Sequence, residues 1–380
     1  MEKLKILSIF GTRPEAIKMA PLILELDKHP EIEIKICLTA QHREMLDPVM
    51  ALFGLAADYD LDIMEPSQSL GTITTKALDG LASVLEAAGP DLVLVHGDTT
   101  TTFSGALAAF YQKIPVGHVE AGLRSRDRYS PYPEEMNRRL TGQIATLHFA
   151  PTAENAENLR LEGILGDIFV TGNTVIDAMS YTVGANSLGS PALDNIDFEN
   201  RRVITLTCHR RENYGVPMEE IMLAARDILA QFPDTVLVYP VHLSPYVQET
   251  ARRILGKTPR VCLTEPLDPL QMHNLMARSY LVLTDSGGIQ EEAPALGKPV
   301  LVLRRETERP EAVAAGTVKL AGIRRADITA LAAELLTDPA AYEKMATAKS
   351  PYGDGAASRR IAQAILYAFG RRDTAPEPFG

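Results

Sequence analysis

Cysteine is scarce in this chain: three residues, Cys37, Cys208 and Cys262, among 380. Three thiols cannot make a disulfide framework, and each stands in an apolar or strand-like setting. They read as small core residues in a reducing compartment. No run approaches the ~20 apolar residues of a membrane span, and the apolar stretch ending at Phe10 is too short for a signal-peptide core. Positive charge is also in deficit. With 38 basic and 49 acidic residues the net charge is −11, and the chain lacks the positive field on which sequence-independent nucleic-acid binding rests. A cytoplasmic protein with no nucleic-acid and no membrane partner is expected. A local cluster of Arg and Lys around a small phosphate ligand remains compatible with this balance.

Catalytic signatures are missing as well. There is no Cys-x-x-Cys or His-x-x-x-His, and the eight histidines are scattered, so no metal site is expected. No Walker sequence and no Gly-x-Ser-x-Gly elbow occur. The chain does have 46% apolar and 23% charged residues, ordinary globular values that allow a large core without staples. At roughly 100–200 residues per domain, its length suits two domains.

Short apolar runs alternate with amphipathic helical stretches from end to end. Strands are predicted at 4–10, 32–38, 92–96, 115–119 and 147–150, with helices between them, for example 16–28, 73–88 and 102–112. The pattern pauses near 181–200, where Ser, Gly, Pro, Asn and Asp are dense. It restarts with strands at 202–207, 235–240, 261–264, 280–284 and 299–303. Strands apolar throughout imply a parallel sheet covered on both faces, and strand–helix–strand repetition implies a doubly wound α/β fold. Two lobes of similar size follow, 1–172 and 173–356. The last helical stretch, near 357–370, can pack on either lobe as far as pattern goes.

In open α/β sheets ligands sit beyond the carboxyl ends of the strands, so the strand-end loops are the places to look. The first, Gly11-Thr12-Arg13-Pro14-Glu15-Ala16-Ile17-Lys18, sets Arg13 at a helix N-terminus, which suits an anion, with Lys18 one turn on. A glycine turn with a solvated Arg and Lys is the plain alternative. It is no dinucleotide fingerprint, which needs three glycines. The second, His96-Gly97-Asp98-Thr99-Thr100, offers Asp98 as an acid–base group or as a helix cap. Glu120 stands at a third strand end, and Glu134 opens a helix after Pro133, where the dipole alone favours it. Asp98, Glu120 and Glu134 converging on one crevice would have their pKa values pushed apart, which makes acid and base available together. In the second half, Cys208-His209-Arg210-Arg211 is a candidate anion site and Tyr239-Pro240-Val241-His242 a weaker one. Strongest is Thr284-Asp285-Ser286-Gly287-Gly288-Ile289-Gln290-Glu291-Glu292. Here Ser286, the amides of Gly287 and Gly288, and a helix dipole form a phosphate cradle, and Glu292 reaches a ribose one turn on. Thr307-Glu308-Arg309 follows another strand and is placed to complete the wall.

Taken together, Gly11–Lys18, Thr39-Ala40-Gln41-His42-Arg43, His96-Gly97-Asp98-Thr99-Thr100, His118-Val119-Glu120-Ala121-Gly122-Leu123-Arg124, His209-Arg210-Arg211-Glu212 and the 284–292 segment closely resemble the non-hydrolysing UDP-N-acetylglucosamine 2-epimerases. The departures are small: Cys208 stands where that family often has Gly, and Tyr132 where it can have Trp or another aromatic.

The resemblance implies two Rossmann-like lobes of GT-B-like type with the active site in the interdomain cleft and the C-terminal helix crossing back to the first lobe. It implies reversible C2 epimerisation of UDP-GlcNAc to UDP-ManNAc without a cofactor. UDP would be eliminated to leave 2-acetamidoglucal and then re-added, supplying precursors for surface polysaccharide. Asp98, Glu120, Glu134 and His209 would be catalytic, and Arg13, Lys18, His209, Ser286, Gly287, Gly288, Glu292 and Arg309 would bind the sugar nucleotide. A homodimer is expected. Gln41, His42, Gln68, Arg210 and His242 match positions at which some members bind a second, activating UDP-GlcNAc, although Ser67 replaces an Arg found there. The rival activities are a hydrolysing 2-epimerase, a GT-B glycosyltransferase and a catalytically silent nucleotide-sugar sensor.

Overall fold

A strand that is apolar along most of its length needs cover on both faces, and the first strand, β1 (Leu4–Phe10), has it. Leu4, Ile6 and Phe10 belong to one buried cluster, with Met19, Leu22 and Ile365. Leu7 and Ile9 belong to another, with Ile73, Leu81 and Ala109. This is why β1 shows no polar alternation. The structure, a computed structural model, describes residues 2–39, 43–63, 65, 68–184 and 188–380. It divides into two units, residues 1–181 with 352–380, and residues 182–351.

In the first unit β1 is joined by β2 (Ile32–Leu38), β3 (Tyr59–Asp60), β4 (Leu92–His96), β5 (Val116–Val119), β6 (Leu147–Ala150) and β7 (Asp167–Val170). All pair in parallel, in the order β3-β2-β1-β4-β5-β6-β7. The order reverses between β1 and β4, which opens the crevice that doubly wound sheets use for ligands.

The second unit has β8 (Arg202–Thr207), β9 (Thr235–Pro240), β10 (Val261–Thr264), β11 (Leu281–Thr284), β12 (Val300–Val302) and β13 (Val318–Leu320), again parallel, in the order β10-β9-β8-β11-β12-β13. Its reversal lies between β8 and β11. Both switch points therefore fall on strands whose end loops the sequence singled out.

Three short strands, β3, β7 and β13, were not legible in the sequence. β3 and β7 are the two edges of the first sheet and β13 is an edge of the second. All three have half-buried or exposed residues, so none carries the continuous apolar run that marks a central strand.

The C-terminal helix Ala357–Ala368 belongs to the first unit. Ile361, Ala362, Ala364, Ile365 and Leu366 complete the cluster around Phe10 and Leu26. Its N-terminus is held from far away in the sequence: the Asp177 carboxylate accepts from the amides of Ala357 at 3.1 Å and Ser358 at 2.7 Å. No helix among the described residues is long and apolar enough to cross a membrane.

Candidate active site

The first unit gathers its polar groups at the ends of β1, β4 and β5. Gly11 leaves β1 where any side chain would overlap the Thr39 hydroxyl. The next helix, Arg13–Leu26, starts at once and carries Glu15 in its first turn. Glu15 is buried, and its carboxylate accepts from the amides of Gly11 (3.1 Å) and Thr12 (2.8 Å) and from the hydroxyls of Thr99 (2.8 Å) and Thr102 (3.1 Å). One side chain thus ties the loop after β1 to the loop after β4.

Glu120 follows β5 with φ +62°, a left-handed conformation that costs a non-glycine residue about 1–3 kcal/mol. Its side chain explains why the position is kept. Lys18 Nζ lies 2.6 and 2.7 Å from the two carboxylate oxygens, His96 Nε2 lies 2.9 Å from Oε2, and the Asn173 amide donates to Oε1 at 3.3 Å. Charge-assisted bonds contribute about 1.5–3 kcal/mol each, so together they outweigh the backbone strain. Burial pushes the Glu120 pKa up, but Lys18 and His96 overcome it and hold the carboxyl well below the ordinary carboxylate range. Asn173 cannot turn its amide round, because its Oδ1 accepts from the Val175 amide at 3.1 Å.

Asp98 is paired with Arg138, and its backbone carbonyl accepts from Asn137 at 3.0 Å. Both partners lie on the helix Glu134–Ile144, whose first residue is the half-buried Glu134. Gly97, just before Asp98, is pinned by His118, whose Nε2 lies 2.7 Å from the Gly97 carbonyl. Burial lowers the His118 pKa to about 3, so the imidazole is a neutral donor there. Asp98, Glu120 and Glu134 are thereby supported from a shared set of elements, each in different company. One is paired with Arg138, and one is locked by Lys18 and His96. Glu134 has no ion pair or side-chain hydrogen bond among the described residues. The ammonium of Lys18, a candidate sugar-nucleotide ligand in the sequence, is paired with Glu120. Arg13, half-buried at the start of its helix, makes no ion pair among the described residues.

In the second unit, β11 is followed by Asp285, which is fully buried. Its Oδ2 accepts from the amides of His209 (2.9 Å) and Arg210 (2.8 Å) and from the Asn213 side chain (3.0 Å), fixing the loop after β8. The helix Gly287–Ala295 begins two residues later. Its first-turn amides at Gly287 and Gly288 have no intrahelical acceptor. The amide of Ser286 is taken by Thr284 Oγ1 at 2.9 Å. The Arg309 guanidinium lies over Gly287: a Cβ there would stand 2.6 Å from Nη1, so a side chain would have to push the guanidinium aside. Arg309 is aimed by Glu291, 2.6 Å from its Nε. Glu292 folds back toward Gly288 and lies 3.5 Å from His273 Nε2. Two first-turn amides, a guanidinium and a carboxylate on one helix turn suit a phosphate joined to a ribose.

His209 stacks on His242, with centroids 5.3 Å apart and ring planes at 10°. Arg210 lies 3.9 Å from Glu308. Gln68, in the first unit, donates to the Ile63 carbonyl at 2.7 Å. Gln41 and His42 lie outside the described residues. A cavity of about 500 Å³ opens at the carboxyl ends of β9 and β10, lined by Val241, Thr264, Leu267, Arg252 and Gln271 among others. No cluster of His, Cys, Asp and Glu among the described residues is arranged to hold a metal.

Two parallel α/β sheets, each with polar groups at its switch point and one with groups suited to a phosphate joined to a ribose, are the architecture of the GT-B-like class. The profile of the UDP-N-acetylglucosamine 2-epimerase family matches residues 24–366, and the chain belongs to that family. It is 55% identical to the UDP-N-acetylglucosamine 2-epimerase of Bacillus subtilis (strain 168), covering 100% of this chain and 99% of that one. Among solved structures, the UDP-GlcNAc 2-epimerase of Neisseria meningitidis bound to UDP-GlcNAc is 52% identical over 96% of this chain and 100% of that one, with a TM-score of 0.86. S. aureus MnaA in complex with UDP is 49% identical over 99% of this chain and 100% of that one, with a TM-score of 0.89.

Proposed function

We propose that the chain interconverts UDP-GlcNAc and UDP-ManNAc without hydrolysis. The observation that carries the reading is Glu120: an ionised carboxylate, kept in a strained backbone conformation by Lys18, His96 and Asn173. Strain of this kind gathers where chemistry is done.

The C2 hydrogen of the sugar is weakly acidic, so its removal must be coupled to departure of UDP. A carboxylate takes the C2 proton, the C1–C2 double bond forms, and the C1–O bond breaks with its electron pair passing to the diphosphate. The product pair is 2-acetamidoglucal and UDP. In the return step the diphosphate oxygen adds to C1 and a proton reaches C2 on the opposite face. Inversion therefore needs an acid and a base on different sides, which Asp98, Glu120 and Glu134 supply. Arg13, His209, Arg309 and the amides at Gly287 and Gly288 stabilise the charge that develops on departing UDP. Glu292 holds the ribose. The elimination is redox-neutral and calls on no nicotinamide. The same reading makes the protein a cytoplasmic homodimer that supplies ManNAc-type precursors for surface polysaccharide.

Proton NMR of UDP-GlcNAc with the purified protein in heavy water tests it. The expected result is UDP-ManNAc with deuterium at C2 of both epimers and no free UDP. UDP accumulating in step with turnover would establish a hydrolysing enzyme instead. No exchange in the absence of an acceptor sugar would favour a glycosyltransferase.

A further inference from the structure

The carboxylate behind His209 is half used. Oδ2 of Asp285 accepts three hydrogen bonds, from the amides of His209 and Arg210 and from Asn213. Oδ1 is buried, has no hydrogen-bond partner among the described residues, and lies 3.5 Å from His209 Nδ1. A buried carboxylate oxygen without a donor costs about 1–3 kcal/mol or more, so the imidazole is drawn to present an N–H to it. A diphosphate on the other side of the ring would make the same demand of Nε2. A neutral imidazole has one N–H and cannot meet both.

We propose that Asp285 is the positioning residue of His209, and that seating the diphosphate of a sugar nucleotide against the imidazole draws a second proton from solvent onto the ring. The imidazolium then donates from Nδ1 to Asp285 and from Nε2 to the diphosphate. It carries positive charge only while the anion it stabilises is in place. The inference rests on the nucleotide-sugar reading above and names the proton that goes with binding.

The surroundings of the ring favour a neutral imidazole beforehand. Burial lowers the His209 pKa; Asp285 opposes this, while His242 and Arg210 reinforce it. These are the charged or titratable groups that face it: Asp285 after β11, His242 after β9 and Arg210 on its own loop. The His242 ring is itself fixed, because its Nδ1 accepts from the Ser244 amide at 3.0 Å and its plane lies parallel to that of His209. Behind Asp285 the Cys208 thiol is pushed well above its ordinary value, first by burial and then by the carboxylate, so it stays protonated.

The test is proton uptake on binding, read with an indicator dye in weakly buffered solution at about pH 8, where an unperturbed histidine is deprotonated. UDP-GlcNAc is the probe, since its diphosphate diester does not titrate near neutrality and epimerisation neither consumes nor releases protons. Wild type is expected to take up about one proton per chain, its dissociation constant rising with pH by up to about tenfold per unit. In Asp285→Asn the amide oxygen can keep the three donors of Oδ2 while its N–H meets Nδ1. Binding should persist and the uptake disappear. His209→Gln, which leaves the Asp285 clamp intact, should lose the uptake too. Binding without uptake in wild type, or undiminished uptake in either variant, overturns the inference alone. No binding of UDP-GlcNAc at all overturns the functional reading and this inference with it.

Discussion

Glu120 illustrates how much one residue's behaviour depends on its neighbours. Burial raises its pKa, and Lys18 and His96 more than reverse this. Because the folded value is depressed, the pairing contributes stability at every pH above the ordinary carboxylate value of about 4.3 and loses it as pH falls through the lowered value. Replacing Lys18 by Met leaves burial as the dominant influence. In Lys18→Met the acid limb of the kcat/KM profile should move up by about one pH unit or more. Losing one partner of a mostly buried pair should also lower stability by about 3 kcal/mol, read by denaturant melts at neutral pH. An unmoved acid limb would count against Glu120 as the group that must be ionised. The candidate carboxylates were legible in the sequence because each follows an apolar strand. Their supports were not. Asn173 touches Glu120 across 53 positions of chain and Arg138 touches Asp98 across 40, and no local pattern announces pairs so distant. Asp285 stood in view inside the Asp-Ser-Gly-Gly segment, but its role as a clamp on the His209 loop emerges only when β8 and β11 are placed side by side.

At the level of elements, several strands were readable almost to the residue: central β1, β2, β4, β6, β8 and β9, and the edge strand β10, have the limits the apolar runs predict. A strand buried on both faces must be apolar throughout, and that is a strong signal. The edge strands β3, β7 and β13 are short with half-buried or exposed residues and gave none, whereas the edge strand β10 was legible. The loops that the central strands feed are braced against one another by Glu15, which satisfies two amides after β1 and two hydroxyls after β4. Glu15→Ala leaves those donors without an acceptor and should cost about 3 kcal/mol. Turnover should fall more than UDP affinity, because the loosened loops carry the proposed acid–base group Asp98, whereas Arg13 is one of several groups proposed to hold UDP and the rest belong to the other unit. Glu15→Gln keeps a carbonyl acceptor and should recover part of both. Thermal melts with steady-state kinetics separate the outcomes, and an unaffected turnover number in Glu15→Ala would remove its bracing role.

For the molecule as a whole, the decisive feature is that the first unit is built from both ends of the chain. Asp177 caps the returning helix, and Asn173, whose side chain touches Glu120, donates its backbone N–H to the Tyr352 carbonyl at 2.6 Å. Asp177→Ala should therefore destabilise the first unit by about 1–3 kcal/mol and speed amide exchange in 357–368, with the second unit's exchange unchanged. Equal protection in variant and wild type would show that apolar packing alone holds the helix. The same connectivity imposes an order on synthesis. A ribosome delivers every residue of the second unit before it delivers Ile361 and Ile365, so the first sheet waits with an uncovered apolar flank while its neighbour is already free to fold. A chain that stalls anywhere in that interval displays the flank, and so presents itself to chaperones and proteases as unfinished.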